Sequence, residues 1–221
     1  MRTRVVDIII EPRNQRKRGA SYSRSRFSFT TRETADLMKA WIGLSVAYLL
    51  TYRELLFVYP EFIPREFRLF LAVSGLTFVA HELGHKFTAQ HFGLEAHFKS
   101  NDFMILISFA VAWSGFLFFA PGAVVVESRA DRKQTGTIAM AGPLSNITFS
   151  LAIIPLLIIF PYNDFVYLCF RINAWLALFN MLPFGMFDGR KIFFWNKVAF
   201  GLIITNAGVL VGLSYVLLYF W

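Results

Sequence analysis

Long apolar runs organise this chain, with polar positions gathered between them. Six stretches, 38–59, 68–91, 103–126, 141–160, 165–189 and 198–220, approach the ~20 apolar residues that an α-helix needs to cross a bilayer. Each is punctuated differently. Arg53 and Glu54 interrupt the first, which places its outer third at an interface. A polar hinge at 61–67 precedes the second. LEAHFKSND at 94–102 reads as a turn with a short strand. Pro121-Gly122 breaks the third stretch, and the β-branched GAVVV at 122–126 predicts a strand. A charged loop is expected at 127–137. Pro143 suits the start of a helix over 141–160, PYND turns the chain, and Pro183 and Gly185 should unwind the end of 165–189.

Loop charge decides how the third stretch runs. If 103–126 enters and leaves on one face, the N-terminal tail, Lys99, Arg129, Arg132, Lys133, Arg190, Lys191 and Lys197 share the inner side. Arg53, Arg65 and Arg68 then lie outside, in keeping with the positive-inside rule. A full crossing would reverse the later clusters. The expected fold is therefore an all-α polytopic membrane protein. It has about five to six transmembrane helices and a short re-entrant helix/strand element between the second and later helices. Residues 1–36 are read as a basic, flexible cytoplasmic tail and 37–221 as the membrane-embedded domain. No internal repeat of the kind common in transporters is visible.

Composition supports this class. Of 221 residues 56% are hydrophobic and 16% charged, whereas a soluble domain carries about a quarter charged residues. The single cysteine, Cys169, excludes an internal disulfide framework and a multi-cysteine zinc site. The net charge of +8 is concentrated early: residues 13–27 hold six basic residues and no acidic one. That block can touch anionic lipid headgroups or simply set topology. No recognition fold surrounds it, so nucleic acid is not an expected partner. The early run VVDIII is short and contains Asp7, unlike a cleaved signal peptide.

The candidate chemistry sits at the end of the second stretch. His81, Glu82 and His85 come directly after LFLAVSGLTFVA, twelve residues without a charge. In a helix His81 and His85 lie one turn apart on one face, able to share a zinc ion, with Glu82 placed to act on a water molecule there. Twelve helical residues cover about 18 Å of a ~30 Å apolar core, so the pair is submerged, where ionisable groups are costly and usually functional. A third ligand is needed. His91 would complete a metzincin-like string, but Thr88 stands where that string needs glycine, and in a continued helix His91 points elsewhere. His91 and His97 read as interfacial polar residues. Asp188, in NMLPFGMFDG, is the other candidate; an aspartate capping a helix or turn would look the same.

Three motifs in order carry a resemblance. HELGH at 81–85, Gly142 and Asn146 in GPLSN, and Asn180, Pro183, Asp188 and Gly189 in the second helix break resemble the HExxH, GxxxN and NxxPxxxxDG motifs of the site-2 protease family of intramembrane zinc metalloproteases (peptidase family M50). The pattern covers roughly residues 68–195, in a minimal form without a PDZ or CBS module. The resemblance implies one zinc ion per chain held by His81, His85 and Asp188, with Glu82 as catalytic base. Asn146 and Asn180 would hold or polarise the substrate. It implies a transmembrane protein substrate cut within or near its membrane segment. A chain this close to a minimal core points to a prokaryotic cell membrane, multi-pass with the N-terminus cytoplasmic. The rival readings are a membrane metal-ion transporter using the same ligands and a catalytically inactive membrane binding protein.

Overall fold

The computed structural model describes residues 27–117, 121–127 and 129–219, so most of the basic tail lies outside the described residues. The first helix, α1 (Thr31–Leu50), is capped by Thr30, whose side chain accepts the Glu33 N–H at 3.1 Å. It thus begins ahead of the boundary expected at 37. After α2 (Arg53–Val58) and a 3-10 turn at Pro60–Phe62, helix α3 (Ile63–Ser74) passes through a π-helical turn (Gly75–Val79) into α4 (Ala80–His91). Together Pro60–His91 form one 32-residue helical run. A π turn inserts an extra residue and so re-aims the helix face beyond it. Here that face carries His81.

Strands β1 (Ala96–Ser100) and β2 (Gly122–Val126) pair antiparallel, with Phe98 opposite Val124. Between them α5 (Asp102–Trp113) is only twelve residues, about 18 Å. The Asn101 N–H donates to the Pro121 carbonyl at 2.6 Å, so the excursion starts and ends at one place. This is a helix-plus-strand hairpin and not a single long helix.

Helix α6 (Arg132–Ile159) corrects two expectations. The charged loop stops at Asp131, and Pro143 lies inside the helix, not at its start. Asp131 and Gln134 form a reciprocal capping box, Asp131 accepting the Gln134 N–H at 2.7 Å and Gln134 the Asp131 N–H at 3.0 Å. That D-x-x-Q signal outweighs the charge of the segment. Helix α7 (Asp164–Asn180) ends in a turn where Gly185 adopts a φ of +59°. Helices α8 (Asp188–Trp195) and α9 (Lys197–Tyr219) complete the described chain.

Three helical runs among the described residues are long and apolar enough to cross a membrane: Pro60–His91, Arg132–Ile159 and Lys197–Leu217. That is fewer than the five to six expected. Glu33, Asp36 and Lys39 charge the first turns of α1, α5 is too short, and α7 has 17 residues and carries Asp164 and Arg171. The main core gathers where α6, α7, α8 and α9 meet, around Phe170, Met181 and Ile192, all fully buried. The outward faces stay apolar, with Ile158 77%, Val198 71% and Val209 65% exposed.

Candidate metal centre

Helix α4 presents His81 and His85 to one side, and Asp188, the first residue of α8, meets them there. Asp188 Oδ2 lies 3.0 Å from His85 Nε2 and 3.4 Å from His81 Nε2, and the two Nε2 atoms are 3.1 Å apart. All three side chains are buried.

Their other hydrogen bonds assign the protons. His85 Nδ1 lies 2.7 Å from the Ile138 carbonyl, which can only accept, so Nδ1 carries the hydrogen. His81 Nδ1 lies 2.6 Å from Asn146 Oδ1. The Asn146 Nδ2 donates to the Thr77 carbonyl at 3.1 Å and to Asn173 Oδ1 at 2.8 Å, and Asn173 Nδ2 donates to the Cys169 carbonyl at 2.8 Å. The relay ends on backbone acceptors, so its direction is fixed and His81 Nδ1 is also the donor. In their neutral form both rings aim Nε2 lone pairs at each other and at a carboxylate oxygen. Three acceptors converge with no donor between them, an arrangement a cation relieves. The donor set fits a metal ion whose histidine ligands are oriented by outer partners.

Small residues allow the approach. A Cβ at Gly142 of α6 would collide with His85 Nε2, and one at Gly84 of α4 would sit 2.9 Å from the Ala141 carbonyl. A Cβ at Gly189 would strike the Met181 carbonyl, so glycine lets α8 start against the end of α7 and brings Asp188 to depth. Close helix contact through small residues is how apolar helices pack when no water drives them together.

Glu82 is 9% exposed and lines a cavity of about 110 Å³ with the three metal-ligand candidates, Asn180 and Lys191. Asn180 spends one amide hydrogen on its own helix, donating to the Leu176 carbonyl at 3.0 Å. Asn146 is different: it is fully buried and its amide is taken up by His81, Thr77 and Asn173, with no place in the cavity wall. Lys191 Nζ stands 3.4 Å from the second oxygen of Asp188, leaving Oδ2 for the histidines. His91 is exposed at the last position of α4, and His97 pairs with Glu127 at 3.5 Å.

Strand β2 forms another wall of the same cavity. The Glu127 N–H bonds Glu95 and the Asn101 N–H bonds Pro121, whereas the Phe98 N–H turns to Glu33 at 2.9 Å. In an antiparallel ladder this alternation sends the N–H and C=O of Gly122, Val124 and Val126 away from β1, along an edge that no described strand pairs.

Reading the sequence alone misses Asn173, Lys191 and the Ile138 carbonyl. Asn173 had a signal, a polar residue within the apolar α7, and Lys191 comes three residues after Asp188 on one helix face. The carbonyl had none. Replacing Asn146 by leucine removes the acceptor that holds the His81 tautomer. Metal affinity is expected to fall about 10–100-fold, the usual cost of losing an outer partner, as measured by competition with a chelator.

No family model matches the chain, and no solved structure matches it. The protein named "Putative zinc metalloprotease MJ0611" from Methanocaldococcus jannaschii is 32% identical over 185 residues, which cover 81% of this chain and 92% of that one. At that identity over most of both chains, and with a buried His/His/Asp group built for a cation, the chain belongs to the zinc metalloprotease family of this archaeal protein.

Proposed function

We propose that this protein is an intramembrane zinc metalloprotease of the site-2 protease kind, hydrolysing peptide bonds in or near membrane-spanning segments of other proteins. One observation carries the reading: the HExxH site lies near the end of a 32-residue helical run apolar enough to cross a membrane, and it opens onto a strand edge that no described strand pairs. A transport site would need neither Glu82 nor that edge.

His81, His85 and Asp188 would hold one zinc ion. The ion, when bound, supplies Lewis acidity to water and to the scissile carbonyl. Glu82, in the cavity wall beside the ligands, takes the proton from the attacking water and delivers it to the leaving amine. Asn180 keeps a second amide hydrogen for the developing oxyanion or the substrate backbone. Asn146, expected as a substrate contact, would act through His81 as a positioning residue. Lys191 fixes Asp188 and adds positive charge to the cavity.

A substrate helix hides its amides in its own hydrogen bonds and must unwind to be cut. The outward groups of Gly122, Val124 and Val126 offer an unwound segment a ladder beside the ligands. Val124→Pro removes an outward N–H without costing a β1 bond. Cleavage is expected to drop about tenfold, the scale of one or two backbone hydrogen bonds, while zinc content stays unchanged. An unaltered rate would remove the strand from substrate binding.

The test of the function is cleavage of a model transmembrane peptide by the purified, zinc-loaded protein in lipid, with the cut position read by mass spectrometry. Cuts within or beside the apolar segment are expected. Zinc flux in proteoliposomes without any cleavage would replace the protease reading with transport.

A further inference from the structure

A second cavity, of about 270 Å³, lies between α1 and α7. It shares only Leu176 with the metal cavity and extends from there toward the end of the bundle where Arg65 pairs with Asp164 at 2.9 Å. Among the described residues its wall holds one charged group, Arg171. The other polar groups the described residues bring to it are the hydroxyls of Tyr48, Thr51, Tyr52 and Thr77 and the indole N–H of Trp175, with no carboxylate, amide or imidazole among them. Leu44, Trp175 and Phe179 make much of the rest apolar.

Arg171 is the only basic residue of α7, seven residues and so about 10 Å along the helix from Asp164. Among the described residues no carboxylate pairs with it. Its guanidinium lies over the Tyr215 ring, 5.7 Å from the centroid, and donates to the hydroxyl of Tyr167 one turn back. A ring face and one phenol oxygen offset part of the cost of a half-buried cation, but they supply no opposite charge and leave several of its five N–H donors for another acceptor. An arginine held in an apolar helix without a counter-ion is costly, and such residues face a partner or a functional cavity. Here it faces a cavity that supplies donors and apolar wall.

We propose that the α1/α7 cavity is a binding site for an anionic phospholipid, with the headgroup phosphate on Arg171 and an acyl chain against Leu44, Trp175 and Phe179. A planar guanidinium matches two phosphate oxygens. A zwitterionic headgroup fits less well, because the described residues of the cavity offer no carboxylate for its ammonium. Basic pockets between membrane helices select anionic headgroups on the same grounds. The site stands apart from the metal ligands, and the inference does not depend on the activity proposed for them.

Trp175, 39% exposed, gives a local reporter. The whole protein in non-ionic detergent is titrated with phosphatidylglycerol brominated on its acyl chains, and the quenching lost in Trp175→Phe is taken as the signal from this cavity. Saturable quenching is expected, with phosphatidylcholine of the same chains at least about tenfold weaker. Arg171→Gln should weaken the phosphatidylglycerol signal by about tenfold or more, and Arg171→Lys by less. Helicity by circular dichroism checks that each variant is folded. Should Arg171→Gln lose helicity, the conservative pair Tyr48→Phe with Tyr52→Phe is read instead and should also weaken binding. Equal quenching by the two lipids, or binding unchanged in the folded variants, would overturn the site. Displacement of the lipid by inorganic phosphate at similar concentration would overturn the lipid assignment in favour of a free-anion site.

Discussion

Glu82→Gln is expected to leave zinc bound and to reduce cleavage of a transmembrane peptide by about 10²–10⁴, the scale of a lost general base. The change keeps the size of the side chain in a wall where it is only 9% exposed, so packing around His81 and His85 should persist. The three metal-ligand candidates take their hydrogen bonds from groups other than the Glu82 carboxylate, and the His81–Asn146 relay runs through the opposite ring nitrogen. Metal content is measured in the same samples. A variant that cleaves at the parental rate with zinc bound would remove Glu82 from the chemistry. A variant that loses zinc would place it among the ligands instead.

The second large effect is expected at Asp188. Asp188→Asn removes the anionic charge that faces two Nε2 lone pairs at 3.0 and 3.4 Å. Its amide would also bring donors where only acceptors converge, which favours a protein-protein hydrogen bond over a cation. Zinc affinity should fall further than the ~10–100-fold of an outer partner. His91→Ala should change it little, since His91 is exposed at the last position of α4 and does not line the cavity. The contrast between the two variants, read by metal analysis after dialysis against a weak chelator, tests the ligand set without reference to activity. Tight zinc binding by Asp188→Asn together with its loss in His91→Ala would make the centre metzincin-like.

The outcome at each element depends on the range over which its signal acts. The pairing of His81 with His85 is local, one turn of one helix, and the spacing alone implies it. Strand β2 and the break at Gly185 were likewise legible, because β-branched runs and glycine at positive φ act within a few residues. Helix α6 was read too short. Its start depends on the Asp131–Gln134 capping box, a two-residue signal hidden in a charged stretch, and Pro143 is tolerated inside a helix embedded among others. The number of spanning helices was overcounted because composition over a window ignores where a helix ends. Charges in the first turns of α1 and the brevity of α5 and α7 decide that.

By itself the sequence determined a mostly helical chain with apolar runs of membrane length, and the one-turn spacing of His81 and His85. Apolar runs of membrane length leave the backbone little choice but helix, and a metal-binding pair written in one helical turn needs no other part of the chain to be recognised. Only the tertiary structure decided how that chemistry is aimed. Whether Asp188 meets the histidines depends on α8 starting against the end of α7, which the lack of a Cβ at Gly189 permits. Whether the histidines present lone pairs depends on the Ile138 carbonyl and on Asn146 and Asn173, from helices distant in sequence. Whether β2 keeps an open edge beside the cavity depends on its register with β1. These are long-range contacts. Hydrogen-bond direction and steric exclusion are set between helices, so no spacing along the chain encodes them.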